Sequence, residues 1–226
     1  YQARMLMSKK NILLLCGGGG TEHDISLISA GFIKESLLSI TDFAVHKIEI
    51  CKDGYRRDEE GNLCEMRKAG DLVWPDQDNK TIKIDFAIPC IHGPPGETGE
   101  IQAVFEMMDL PYLGCAPEAS IQCFNKVTTK LWFDALGIPN TPYLFLSDLN
   151  KADIQKTEDF FDKHQEIYIN ASNQGSSIGC YHTTTKSDIE QDLTQAFNYS
   201  PYVLVEKAIT GRELEIAVYE YNNEII

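Results

Sequence analysis

Four short segments of this 226-residue chain hold residue types that could do chemistry. In the first, Gly17-Gly18-Gly19-Gly20 is followed closely by Glu22 and Asp24. A glycine run lets backbone N–H groups approach an anion at a helix N-terminus. The dinucleotide fingerprint needs a third glycine where Glu22 stands, and a carboxylate would face a pyrophosphate unfavourably. Glu22 suits an ammonium group instead; the plainer alternative is that Glu22 and Asp24 only favour a helix start. In the second segment, His92 opens a loop containing Gly93, Pro94, Pro95, Gly96, Glu97, Thr98 and Gly99. A histidine there could polarise a carboxylate or help move a proton, or be a structural loop residue. In the third, Ser176 and Ser177 lie among the glycines of residues 174–179, a flexible anion-binding cover or an ordinary loop. In the fourth, Glu206-Lys207 ends an apolar run and Glu213 follows Gly211. A carboxylate at a strand end can accept from ribose hydroxyls, and the backbone beside it can read an adenine edge. A solvated hairpin end is the competing reading. The Walker pattern is absent, which disfavours the P-loop class.

These segments need elements to position them. Residues 12–15 form a continuous apolar run that ends in the glycines, and residues 24–38 bear Ile25, Ile28 and Phe32 at helical spacing. That pattern predicts buried strand, glycine loop, helix. Strands are expected at 44–50 and 86–91, a small hairpin at 55–66, and a helix presenting Ile101, Val104, Phe105 and Met108 on one face. Strands alternating with helices predict a parallel, helix-covered sheet, with ligands at its C-terminal edge. Composition shifts near 120–126, and a helix through Leu131 and Trp132 should end near Gly137. Beyond it, strands are expected at 142–146, 166–170, 202–206 and 213–220, with helices at 152–164 and 187–197. The last residues, 221–226, read as a turn entering another strand, which leaves an unpaired edge and suggests truncation.

The net charge of −14 repels nucleic acid and anionic membrane surfaces, and 43% hydrophobic residues is ordinary globular composition. No apolar run is long enough for a transmembrane helix. Residues 1–10 lack the core of a signal peptide and read as tag remnant or leader, with Met7 as a natural start. Seven cysteines without a C-x-x-C pair point to free thiols in a reducing compartment. No two histidines stand four apart and none has a cysteine at ligand spacing, so a zinc site is not expected.

Taken in order, GGGGTEHDISLI (17–28), IHGPPGETGEIQ (91–102), LPYLG (110–114), NKVTTK (125–130), QGSSIG (174–179) and VLVEKAITGRE (203–213) resemble the D-alanine–D-alanine ligase family of the ATP-grasp superfamily. The resemblance covers the chain from about Asn11. It implies an α/β fold: an N-terminal Rossmann-like parallel-sheet substrate domain at 1–122, a central ATP-grasp domain at 123–212, and the start of a C-terminal ATP-grasp domain at 213–226, most of it missing. It implies cytoplasmic ligation of two D-alanines through an acyl phosphate for peptidoglycan precursors, using ATP and Mg²⁺, in a homodimer that binds neither nucleic acid nor membrane. By position, Glu22 matches the residue meeting the first D-alanine's ammonium, Ile25 an apolar neighbour, and His92 the residue near that substrate's carboxylate. Ser176 matches the serine that helps hold Glu22 and the substrate region; Glu22, His92 and Ser176 form the implied catalytic set. Lys126 matches a phosphate-contacting lysine, Ser176 and Ser177 are assigned to ATP beside it, and Glu206, Lys207, Ile209 and Glu213 match the adenine and ribose contacts. Two departures stand out. Asn170 occupies the place of a second phosphate-binding lysine, which predicts weakened ATP binding or turnover. The chain ends before the region in which the family carries its metal ligands, transition-state arginine and closing loop, so the chain alone is expected to be inactive. A D-lactate-accepting ligase of the same fold and a degenerate nucleotide-binding module are the alternatives.

Overall fold

The computed structural model describes residues 9–40 and 42–226; the leader reading and Met7 lie outside them. The chain forms two compact units. One runs to Trp132 and includes Asn173–Ser176; the other comprises Phe133–Ser172 and Ser177–Ile226.

In the first unit, β1 (Lys10–Gly17) enters the glycine loop and α1 (His23–Leu38) leaves it. β2 (Phe43–Ile50) runs parallel to β1, and the short β3 (Arg56–Arg57) returns antiparallel. β4 (Glu65–Arg67), β5 (Asp71–Trp74) and β6 (Lys80–Lys83) make a separate antiparallel sheet. β7 (Phe86–Cys90) pairs parallel with the other side of β1, completing the order β3-β2-β1-β7. β1 is central and Leu13, Leu14, Leu15 and Cys16 are almost fully buried, which is why its sequence is a continuous apolar run. α2 (Glu100–Met107), α3 (Pro117–Phe124) and α4 (Lys126–Leu136) follow.

Three expectations need correction here. The residues 71–83 carried no strand assignment, yet supply β5 and β6, whose Leu72 and Trp74 join the core. α1 does not bury Ile25, Ile28 and Phe32, which are all more than half exposed; it buries His23, Ser26 and Ala30. The small Ser26 and Ala30 let the helix lie close to the sheet. The Ser26 hydroxyl accepts from Gly17 N–H at 2.7 Å and donates to the Cys90 carbonyl, so its burial leaves no polar group unsatisfied. On α2, Ile101 and Phe105 are buried as expected, but Val104 is exposed and Gln102 takes its place inside.

The second unit begins within α4. β8 (Tyr143–Leu146), α5 (Lys151–His164), β9 (Ile167–Ala171), β10 (Cys180–Thr183), α6 (Ile189–Phe197) and β11 (Val203–Lys207) follow. The four strands form an antiparallel sheet in the order β10-β9-β11-β8. Period-2 alternation buries Ile167, Ile169, Val203 and Val205 on one face, against Phe161 of α5 and Ile189 and Leu193 of α6. Tyr168, Asn170 and Glu206 belong to the other face. The expected strand at 213–220 does not form. Leu214, Ile216 and Val218 alternate as a strand would, but all are exposed and no ladder pairs them among the described residues. Alternation without a partner does not make a strand, because the backbone groups then have no ladder to join. Only β12 (Glu220–Tyr221) and β13 (Glu224–Ile225) pair, around Asn222-Asn223 in the left-handed region.

Candidate functional site

Glu22 sits at the N-cap of α1, where β1 hands the chain through the glycines to the helix. The loop is tied down from below. The imidazole of buried His23 holds the Gly18 carbonyl at 2.7 Å through Nδ1 and lies 3.2 Å from Glu49 through Nε2. Gly17 has φ +85°, and a Cβ there would come within 2.5 Å of the Ile50 carbonyl oxygen, so only glycine fits. Cys16, beneath this loop, is no nucleophile: burial pushes its thiol up to about 12.

The His92 loop is folded on itself. Gly96 N–H donates to Gly93 O at 2.8 Å, and the buried Gln102 amide donates to Gly96 O at 2.6 Å. A Cβ at Gly96 would collide with the Ile91 carbonyl oxygen at 2.2 Å. His92 is half-exposed; its Nε2 lies 3.2 Å from Ser29 Oγ and its Nδ1 4.0 Å from Glu97 Oε1.

The serine loop supplies the closing contact. Ser176 Oγ donates to Glu22 Oε1 at 2.6 Å, across 154 positions of sequence. A Cβ at Gly93 would lie 3.8 Å from Glu22 Oε2, which places that carboxylate against the His92 loop. The Lys126 ammonium donates to the backbone carbonyl of Gln174 in the same serine loop. Ser176 and Ser177 both have positive φ, 49° and 62°, a conformation that costs non-glycine residues about 1–3 kcal/mol each and is met where a loop has a task. Glu22, His92, Ser176 and Lys126 are thus all in the first unit, with Ile25 exposed one turn along α1. Glu22 can accept from the ammonium of a small zwitterion, and the ring N–H of His92 in the neighbouring loop can donate to its carboxylate.

The other named residues belong to the second unit. Asn170, 8% exposed on β9, donates through Nδ2 to Glu206 Oε2 on β11 at 3.0 Å. Lys207 ends β11, and Ile209 and Glu213 are exposed in the segment without regular structure. Tyr168 and His182 stack beside Glu206, with ring centroids 4.6 Å apart and planes at 15°. Sequence reasoning missed Ser29 and Glu97, which flank His92. Ser29 had a readable signal: it stands two helical turns beyond Glu22 and so shares its side of α1.

Two family models match the chain: the D-ala D-ala ligase N-terminus over residues 11–115 and the D-ala D-ala ligase C-terminus over residues 132–226. The crystal structure of D-alanine-D-alanine ligase from Aeromonas hydrophila is 42% identical with TM-score 0.84, over 96% of this chain and 69% of that one. This chain belongs to the D-alanine–D-alanine ligase family. D-alanyl-alanine synthetase A from Vibrio cholerae superposes with TM-score 0.92 at 46% identity, covering 97% of this chain and 66% of that chain. The D-alanine–D-alanine ligases of Shewanella sediminis and Shewanella halifaxensis are 50% and 51% identical over 220 residues. The chain spans 66% of the length of these two curated family members. Its mixed α/β fold is that of the D-alanine–D-alanine ligase structures. Among the described residues no helix is long and apolar enough to cross a membrane.

Proposed function

We propose that this chain serves ATP-dependent ligation of two D-alanines to D-alanyl-D-alanine through an acyl phosphate, a cytoplasmic step toward peptidoglycan. The observation that carries this reading is the 2.6 Å bond from Ser176 to Glu22 beside the His92 loop. Glu22 takes the ammonium of the first D-alanine, with Ser176 fixing the carboxylate's pose and Ile25 lining the methyl side. His92, oriented by Ser29, faces the substrate carboxylate that is to be activated. A fixed set of this kind acts by positioning and electrostatics, which is most of what phosphoryl transfer to a carboxylate needs. The serine loop, with Ser177, covers the reacting group and keeps water from the acyl phosphate.

Lys126, Asn170, Ser176, Ser177, Glu206, Lys207, Ile209 and Glu213 are assigned to ATP. The second unit fits a nucleoside chemically: a carboxylate for hydroxyls beside a stacked aromatic pair. Mg²⁺ accompanies the nucleotide. Among the described residues no three His, Cys, Asp or Glu side chains gather to hold a metal, so none is assigned to it and no step runs through it. The domain reading that goes with this function is 1–122 for the amino acid, 123–212 for the nucleotide and 213–226 as the start of a third. A homodimer accompanies it, and a monomer mass by light scattering would refute that assembly.

The test is ADP and dipeptide formation from ATP, Mg²⁺ and D-alanine, with NMR titration of D-alanine into the same protein. Binding that shifts Glu22 and His92 resonances and is lost in Glu22→Gln supports the reading. A folded protein whose spectrum D-alanine leaves unchanged would refute it.

A further inference from the structure

We infer that Asn170 is a positioning residue for Glu206, fixing that carboxylate for the adenosine end of a nucleotide, and is not a phosphate contact. The inference rests on the proposed function and departs from the family resemblance, which implies a phosphate-binding lysine at this place.

The geometry begins with strand register. Ile167, Ile169 and Ala171 of β9 point into the core, so Tyr168 and Asn170 share the opposite face. Across the β9–β11 ladder Asn170 pairs with Leu204 and Tyr168 with Glu206. Asn170 and Glu206 are therefore diagonal neighbours on one face, close enough for their side chains to meet. They do meet, Nδ2 to Oε2 at 3.0 Å, with Asn170 only 8% exposed. Nδ2 commits one of its two N–H donors to a carboxylate in its own sheet, and this short, buried side chain has none of a lysine's reach toward phosphate.

The consequence for Glu206 is order. A glutamate at a strand end has several rotatable bonds, and ordering such a side chain on binding costs free energy. A donor already holding one oxygen removes part of that cost beforehand. Asn170 is also neutral. A lysine in its place would add an ion pair to Glu206, whereas the amide adds a hydrogen bond without a charge. The neighbours agree with a nucleoside: across β9, Tyr168 lies between Glu206 and His182, and its ring stacks on the imidazole. A flat ring pair beside an oriented carboxylate matches a base and its ribose diol.

The experiment is calorimetric titration of adenosine, AMP and ATP into the full chain and its Asn170→Ala, Glu206→Gln and double variants, each checked for native circular dichroism. The positioning role predicts that Asn170→Ala weakens all three ligands by the same factor, roughly tenfold. It also predicts no further loss when Asn170→Ala is added to Glu206→Gln, because the two act as one unit. Should Asn170→Ala fail to fold, Asn170→Ser carries the same comparison. A loss confined to ATP, with adenosine unaffected, would make Asn170 a phosphate contact and overturn the inference. Additive losses in the double variant would overturn it as well. A folded wild-type protein that binds none of the three sinks the nucleotide part of the proposed function, and this inference with it.

Discussion

Two carboxylates in this protein each accept a hydrogen bond from a neutral side chain, and they are placed by opposite means. Glu22 meets the Ser176 hydroxyl across 154 positions, on exposed surface, through a loop whose Ser176 and Ser177 both adopt positive φ. Glu206 meets the Asn170 amide across 36 positions, partly buried, between strands of a continuous ladder. The first contact exists only while the serine loop holds its conformation. The second is set by strand register, and moving it would require slipping a strand whose apolar face is buried. A contact made by a loop can be made and broken in a catalytic cycle; a contact made by register is preorganised in every state of the loop.

The largest break in this comparison is expected from Glu22→Gln. It keeps the shape and removes the charge that meets an ammonium, so D-alanine-dependent kcat/KM should fall on the order of 100-fold with an unchanged urea midpoint, since charged hydrogen bonds are worth about 1.5–3 kcal/mol. Asn170→Asp attacks the other pair by setting like charges together in a partly buried place. Urea denaturation at pH 7 should show a loss of about 1–3 kcal/mol, the usual size for an unsatisfied buried group. Ser176→Ala sharpens the contrast: being exposed, it should change stability by no more than about 0.5 kcal/mol. Its effect should be a several-fold rise in KM for D-alanine, read from steady-state kinetics. An equal stability loss from Asn170→Asp and Ser176→Ala would abolish the distinction between register and loop.

The smallest effect concerns a third carboxylate, Asp134, which accepts from the Tyr143 hydroxyl at 2.6 Å and from the Asn140 amide at 2.9 Å. Burial first, and then this bond, pushes Tyr143 from its ordinary 10 up to about 12. The folded state therefore holds the phenol proton more tightly than the unfolded chain does. The resulting stabilisation is complete below about pH 10 and is lost as pH rises toward 12. Tyr143→Phe should flatten that alkaline arm in thermal melts taken between those pH values, and lower the neutral-pH midpoint slightly by removing the bond to Asp134.

Much of the candidate site was legible in the sequence. Gly17, Glu22, His92 and Ser176 stand in segments whose composition already announced tight turns and polar function, and the strands before them were readable as apolar runs. The helix faces were less legible. Ile25, Ile28 and Phe32 have the right spacing for a core stripe, yet α1 buries Ser26 and Ala30 because close approach and a bonded hydroxyl outweigh apolar area there. The run ending at Glu220 shows the converse error, since Leu214, Ile216 and Val218 alternate without a partner ladder.

The sequence by itself determined most of the order of elements, the glycine-rich turns, and the family. Those features are local: they follow from backbone sterics, from hydrophobic period, and from motifs read along the chain. Only the tertiary structure decided which side chains meet. The Ser176–Glu22 contact was implied by the family resemblance, but that Ser29 stands against His92 and that Asn170 turns to Glu206 depend on loop closure and strand register. No single segment contains these contacts, because each arises from distant stretches that come together only when the apolar faces they carry are buried.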